Sequence, residues 1–136
     1  MGGQSAHDAT GDTVKHPEHA IQVAFFRMVD TDARTKHLPI FAVPNYAFLT
    51  PRAGKWLKDE GKRAGVPDVL CCVPTRSKDG EAYGLAIEFK TPTGTVSTAQ
   101  KAWGALLTSH GWSVVVCRSA QEGWDALLAY LGTSRQ

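Results

Sequence analysis

Apolar residues first recur at helical spacing in the stretch that Pro17 opens. Ile21, Phe25, Met28 and Val29 share one side of a helix. Proline suits a first helical turn, so the pattern predicts a helix over residues 17–33. Residues 37–43 (HLPIFAV) read as a short strand stopped by Pro44-Asn45, and Pro39 places it at a sheet edge or a strand start. Residues 52–63 (RAGKWLKDEGKR) form a basic, weakly amphipathic helix interrupted by Gly54 and Gly61. Residues 68–73 (DVLCCV) have the continuous apolar run of a buried strand, and 82–90 (AYGLAIEFK) that of a long one. Asp79-Gly80 between them is a turn signal, so the two strands are expected to form a hairpin.

Ser97 and Gln100 have capping-box spacing. Ala99, Trp103, Leu106, Leu107 and His110 form the apolar stripe of the helix they open, and Gly111 ends it. Residues 112–118 (WSVVVCR) form a strand. Ser119 and Glu122 make a second capping box, ahead of a stripe of Ala120, Trp124, Leu127, Leu128 and Leu131. The order α-β-(α)-β-β-α-β-α predicts an α/β fold with a mixed central β-sheet flanked by helices. The capped helix between the last two strands is expected to be a right-handed crossover. Residues 1–15 are small and polar without an apolar period, which predicts a disordered N-terminal tail before one domain over residues 16–132.

The composition narrows the class without naming a chemistry. A chain of 136 residues with 43% hydrophobic content is long and apolar enough for one buried core. The 15 basic and 13 acidic residues give a net charge of +2, too near neutral to mark a nucleic-acid binder by bulk charge. No apolar run approaches a membrane span, and the first residues lack the apolar centre of a signal peptide. Cys71, Cys72 and Cys117 are odd in number and two are adjacent, which makes no disulfide framework. A reducing, cytoplasmic setting is the simplest expectation.

The chemistry lies in polar residues that interrupt these apolar patterns. Glu18 falls near the middle of the first helix's apolar stripe, with Gln22 at its edge. A carboxylate aimed at a core needs a partner; read otherwise, it is a first-turn acid favoured by the helix dipole. Along the long strand, Gly84, Ala86, Glu88 and Lys90 share one face and end it in an acid-base pair. Such a pair has either little energetic value on an exposed edge or a functional role at the end of a strand. Asp68 opens the buried strand after Gly65-Val66-Pro67, as a turn residue or as a second acid of the same site. Two carboxylates on hairpin partners are the oxygen donors that a hard divalent cation uses while keeping several waters. Such a cation activates water and stabilises charge on a phosphate, and a nearby ammonium adds to that stabilisation.

Pro67-Asp68 followed by Glu88-Phe89-Lys90 resembles the signature of the PD-(D/E)XK nucleases. The wider set resembles the VRR-NUC family within them: Glu18 with Gln22, Pro44-Asn45, Gly65-Val66-Pro67-Asp68, Glu88-Phe89-Lys90-Thr91, Gln100, and Leu106 to Val116 (LLTSHGWSVVV). The resemblance spans about residues 16–131 and implies a restriction-endonuclease-like PD-(D/E)XK core. It implies that Asp68, Glu88 and the Phe89 carbonyl hold Mg²⁺ or Mn²⁺, and that Lys90 orients water or stabilises the transition state. Glu18 would reach the metal through water or hold a second ion. Gln100 would hold Lys90 or a phosphate, although its capping box accounts for it equally well. Gln22 is a weaker auxiliary. The implied activity is structure-specific hydrolysis of DNA phosphodiesters, on branched DNA such as four-way junctions, by a homodimer. Nothing implies a nucleotide cofactor or a membrane. The other readings are a DNA-binding or assembly module, or a nuclease subunit active only with a partner.

Around the second helix, Lys55, Lys58 and Lys62 share a face next to Arg63 and are candidate phosphate contacts. Asp59 and Glu60 in the same segment fit a merely solvated face. Asn45 lies where the family motif falls and is a further candidate DNA contact, or simply ends a strand. Trp56 is expected in the core, with stacking on an unpaired base as its alternative. Cys71 and Cys72 are expected as small core residues, and Trp103, Trp112 and Trp124 as packing. His16 and His19 have no third soft ligand nearby to make a zinc site.

Overall fold

A computed structural model of the chain describes residues 17–44, 50–77 and 80–132. Its elements are helix α1 (Pro17–Thr31), strand β1 (Ile40–Ala42), helix α2 (Pro51–Asp59), strands β2 (Val69–Cys71), β3 (Thr75–Ser77), β4 (Gly80–Ala82) and β5 (Leu85–Phe89), helix α3 (Thr98–Ser109), strand β6 (Ser113–Cys117) and helix α4 (Ala120–Leu131). The tail expected over residues 1–15, His16, Asn45 and Asp79 lie outside the described residues.

Four strands form a sheet in the order β1-β2-β5-β6, with Pro39 leading into an edge strand. The β1–β2 and β2–β5 pairs are antiparallel. At the far edge, the Ser113 N–H donates to the Gly84 carbonyl at 2.9 Å, and the Lys90 N–H donates to the Cys117 carbonyl at 3.0 Å. Residue number rises along both strands between these bonds, so β5 and β6 run parallel, joined through α3. The sheet is therefore mixed.

The chain divides into two compact units. One comprises the described parts of Met1–Leu38, Phe89–Thr95 and Val116–Gln136; the other comprises those of Pro39–Glu88 and Val96–Val115. In the first unit α1 packs on α4. Phe25 of α1 and Phe89 at the end of β5 are fully buried, with ring centroids 5.2 Å apart. Gly123 of α4 makes this approach possible, because a Cβ there would lie 2.7 Å from the Phe89 ring and 3.1 Å from the Phe25 ring. After α1, the Arg34 guanidinium donates to both Asp32 carboxylate oxygens at 2.9 Å and sits 5.8 Å above the Trp124 ring of α4. These hydrogen bonds from Arg34 hold the Asp32 carboxyl down to about 2.

In the second unit Val69, Cys71, Leu85, Ala86 and Ile87 are buried where β2 meets β5. Several sequence expectations change here. The strand expected over 82–90 is two strands. Trp112 and the Cys71 carbonyl crowd the backbone at Gly84, and the preceding segment leaves the sheet to form the β3–β4 ribbon, where Arg76 pairs with Glu81 at 2.9 Å. Of the stripe expected on α3, Trp103 and Leu107 face inward, whereas Ala99, Leu106 and His110 are exposed, so the inward side is shifted. It runs through the half-buried Gln100, Trp103, Gly104 and Leu107. Gly104 brings the helix against Val114, and a pattern read from large apolar residues does not register it. Cys72, expected in the core, is exposed just past the end of β2, whereas Cys71 and Cys117 are buried. Burial pushes the Cys117 thiol up to about 11. The Ser119 hydroxyl caps α4 by accepting from the Glu122 N–H at 3.0 Å, but the Glu122 carboxylate accepts from the Arg118 N–H instead of completing a box.

Two glycine replacements are expected to act with opposite sign. Gly123→Ala drives a methyl into the Phe25–Phe89 contact and lowers stability by about 1–3 kcal/mol. Gly54→Ala meets nothing within 4 Å in α2 and raises stability by about 0.5–1 kcal/mol. Urea denaturation of both variants checks the pair. The depressed Asp32 carboxyl gives an acid limb as well. Its contribution is complete above its ordinary pKa of 3.8 and is lost as pH falls through about 2. Asp32→Asn should flatten that part of the stability profile in acid titrations followed by circular dichroism.

Candidate active site

The β2–β5 ladder pairs Val69 with Ile87, Leu70 with Ala86 and Cys71 with Leu85. Continued by one residue, this register sets Asp68 directly across from Glu88. Facing positions of an antiparallel pair hold their Cβ atoms about 4.5–5.5 Å apart, so the two carboxyl groups emerge side by side. On its other flank, the Asp68 carbonyl accepts from the Val43 N–H at 2.8 Å, which ties the residue to the end of β1. Glu88 is 5% exposed and Asp68 half-buried. Two carboxylates set across from each other are oxygen donors that one divalent cation can share.

The loop leading into Asp68 is held by shape. Gly65 has a φ of +87° and lies against α3, where a Cβ would come 2.7 Å from Ala99. Glycine alone accepts both conditions. The contact seats the first turn of α3 beside this loop. In that turn the Ser97 Oγ accepts from the Gln100 N–H at 3.1 Å, and the Gln100 Oε1 accepts from the Ser97 N–H at 2.8 Å. The capping box is complete, and the Gln100 carbonyl oxygen is committed to it.

Lys90 follows β5, two residues beyond Glu88. Its ammonium lies 3.9 Å from Glu18 Oε2 of α1. The Lys90 side chain is 11% exposed and that of Glu18 46%, so the pair joins a sheltered cation to an accessible acid. Gln22, one turn after Glu18, is half-buried. The chain after Lys90 is held by a residue that the sequence pattern did not single out. Arg118 Nη1 donates to the Thr91 carbonyl at 2.8 Å and to the Gly94 carbonyl at 2.7 Å. The residue before it, Cys117, accepts the Lys90 N–H. Arg118 thus fixes the loop that fixes Lys90. Its only sequence signal is an arginine closing an apolar strand.

The structure therefore brings Asp68 to Glu88 and Lys90 to Glu18. The basic residues are placed as follows. Lys55 pairs with Asp59 at 2.9 Å. Lys62 Nζ donates to the Pro44 carbonyl at 2.9 Å, next to the residue that binds Asp68. Arg63 reaches the Lys58 and Lys62 carbonyls, and Lys58 is exposed. Trp56, expected in the core, is 73% exposed, because α2 buries none of its residues.

Among the described residues no three His, Cys, Asp or Glu side chains gather as a metal cluster. Two facing carboxylates fit Mg²⁺ or Mn²⁺, which take one or two carboxylates and keep their remaining positions for water and phosphate oxygen.

The model of the VRR-NUC domain family matches residues 15–121 of the chain. A solved structure described as a VRR-NUC domain protein superposes with a TM-score of 0.70 at 22% identity, over 85% of this chain and 88% of that one. No curated protein matches the sequence. The match spans Glu18, Asp68, Glu88, Lys90, Gln100 and Arg118.

Arg118→Met leaves the loop carbonyls without their donor. It is expected to lower stability by about 1–3 kcal/mol in urea denaturation. Arg118→Lys, which keeps one donor group, should recover part of that loss.

Proposed function

Because this chain belongs to the VRR-NUC family of nuclease domains, we propose that it is a divalent-metal-dependent endonuclease that hydrolyses DNA phosphodiester bonds. The observation that carries the reading is the β2–β5 register, which sets Asp68 opposite Glu88 at the end of a buried ladder. Asp68, Glu88 and the Phe89 carbonyl would hold Mg²⁺ or Mn²⁺, which supplies a water of lowered pKa and a positive centre for the phosphate.

The protein's own residues supply the rest. Lys90 contributes a fixed ammonium that offsets charge growing on the phosphate and orients the attacking water. Its low exposure keeps that charge from being diluted by solvent. Glu18 attracts the Lys90 ammonium through charge, and its own exposure leaves it reachable by a hydrated cation. Gln100 contributes chiefly as the cap of α3. Lys58, Lys62 and Arg63 lie on the segment that meets the end of β1, where cations attract a DNA backbone. Branched DNA is the substrate form we propose, with a homodimer placing one site on each of two strands.

Glu88→Ala, Asp68→Ala and Lys90→Ala are each expected to abolish cleavage of labelled junction, flap or duplex DNA in Mg²⁺ or Mn²⁺ while the protein stays folded. EDTA should stop the wild type. Undiminished cleavage by purified Glu88→Ala protein would falsify the assignment.

A further inference from the structure

An exposed tryptophan is a large apolar surface left in water, and Trp56 is exposed over 73% of its area. It stands on α2, whose Thr50 hydroxyl caps the helix and whose Lys55–Asp59 pair braces its outer side. Beside it is an open groove of about 650 Å³ lined by Thr50, Arg52, Ala53, Lys55, Trp56 and Asp59. Among the described lining residues, the Trp56 ring and the Arg52 guanidinium beside the Lys55–Asp59 pair make a site for a flat, π-bearing group attached to an anion. Along residues 52–63 the same imbalance continues, with Arg52, Lys55, Lys58, Lys62 and Arg63 against Asp59 and Glu60. A second copy of the same basic segment would be repelled by it, whereas a nucleic-acid strand is attracted.

We infer that Trp56 is a stacking platform for an unpaired nucleobase of the DNA substrate, with Arg52 and Lys55 meeting the phosphates on either side. The inference rests on the nuclease reading and adds the substrate feature recognised. Every base presents a π face, so stacking selects unpaired structure and not sequence. Bases inside an intact duplex are already stacked on one another and offer no free face. Those of a flap or gap do. The segment after α2 is also tied to the strand end that carries Asp68, since the Lys62 ammonium donates to the Pro44 carbonyl and the Val43 N–H to the Asp68 carbonyl.

The test reads binding without cleavage, by fluorescence anisotropy in EDTA at one fixed salt concentration. The probes are a blunt duplex and a duplex of equal length carrying a single-stranded flap. Trp56→Ala is expected to weaken flap binding roughly tenfold or more and to leave blunt-duplex binding unchanged. Trp56→Phe, which keeps a ring, should retain most of the flap affinity. A 2-aminopurine at the first unpaired position should lose fluorescence on binding wild type but not Trp56→Ala. Equal weakening on both DNAs, or no weakening on the flap, overturns the stacking role while the nuclease reading stands. Failure of the wild type to bind the flap in EDTA overturns the stacking role, whereas the nuclease reading falls only if the wild type cleaves no DNA in Mg²⁺ or Mn²⁺. A Trp56→Ala protein with unchanged DNA affinity but altered mass by light scattering would make the groove a protein interface and overturn the inference as well.

Discussion

Each antiparallel step between β2 and β5 sets one residue across from another, and this register carries Asp68 to a position facing Glu88. Slipping it by one residue would turn every side chain of one strand to the opposite face. The buried Val69, Cys71, Leu85 and Ile87 forbid that slip, since their apolar surface would go to the wrong side. The same ladder that forms the core of its unit therefore forces two carboxylates together at its end. Glu88 is nearly out of water. The packing that fixes the ladder therefore also fixes where these two carboxylates stand.

Around Lys90, positioning is divided among backbone, guanidinium and carboxylate. The Cys117 carbonyl fixes its peptide, Arg118 fixes the loop beyond it, and Glu18 lies near its ammonium. At 3.9 Å the Glu18–Lys90 pair is long for a hydrogen bond, so it acts through charge. Phe89, between Glu88 and Lys90, turns its ring into the contact with Phe25. The central residue of the motif is thus an anchor for the strand end, while its neighbours carry the polar groups.

Local features were legible in the sequence where local physics decides them. The α3 capping box follows from Ser97 and Gln100 three residues apart, and the edge position of β1 follows from Pro39. The acids could be singled out because they interrupt apolar patterns. What the sequence hid depends on distant partners. Arg118 acts on carbonyls 24 and 27 residues away. The inward face of α3 follows from Gly104 meeting Val114, and the break before β5 from Trp112 at Gly84. Trp56 was misplaced because hydrophobicity says that a side chain would gain from burial, not that a partner surface exists to bury it.

Helix α2 contributes no buried residue, so little of its helicity is secured by packing. Nine residues make a marginal helix in water, and α2 relies on its Thr50 cap, its Pro51 start and the Lys55–Asp59 pair. Its order therefore depends on local interactions and not on a buried face. The ladder that holds the carboxylates is secured by packing, whereas the helix is secured by its cap and an exposed ion pair, which salt screens.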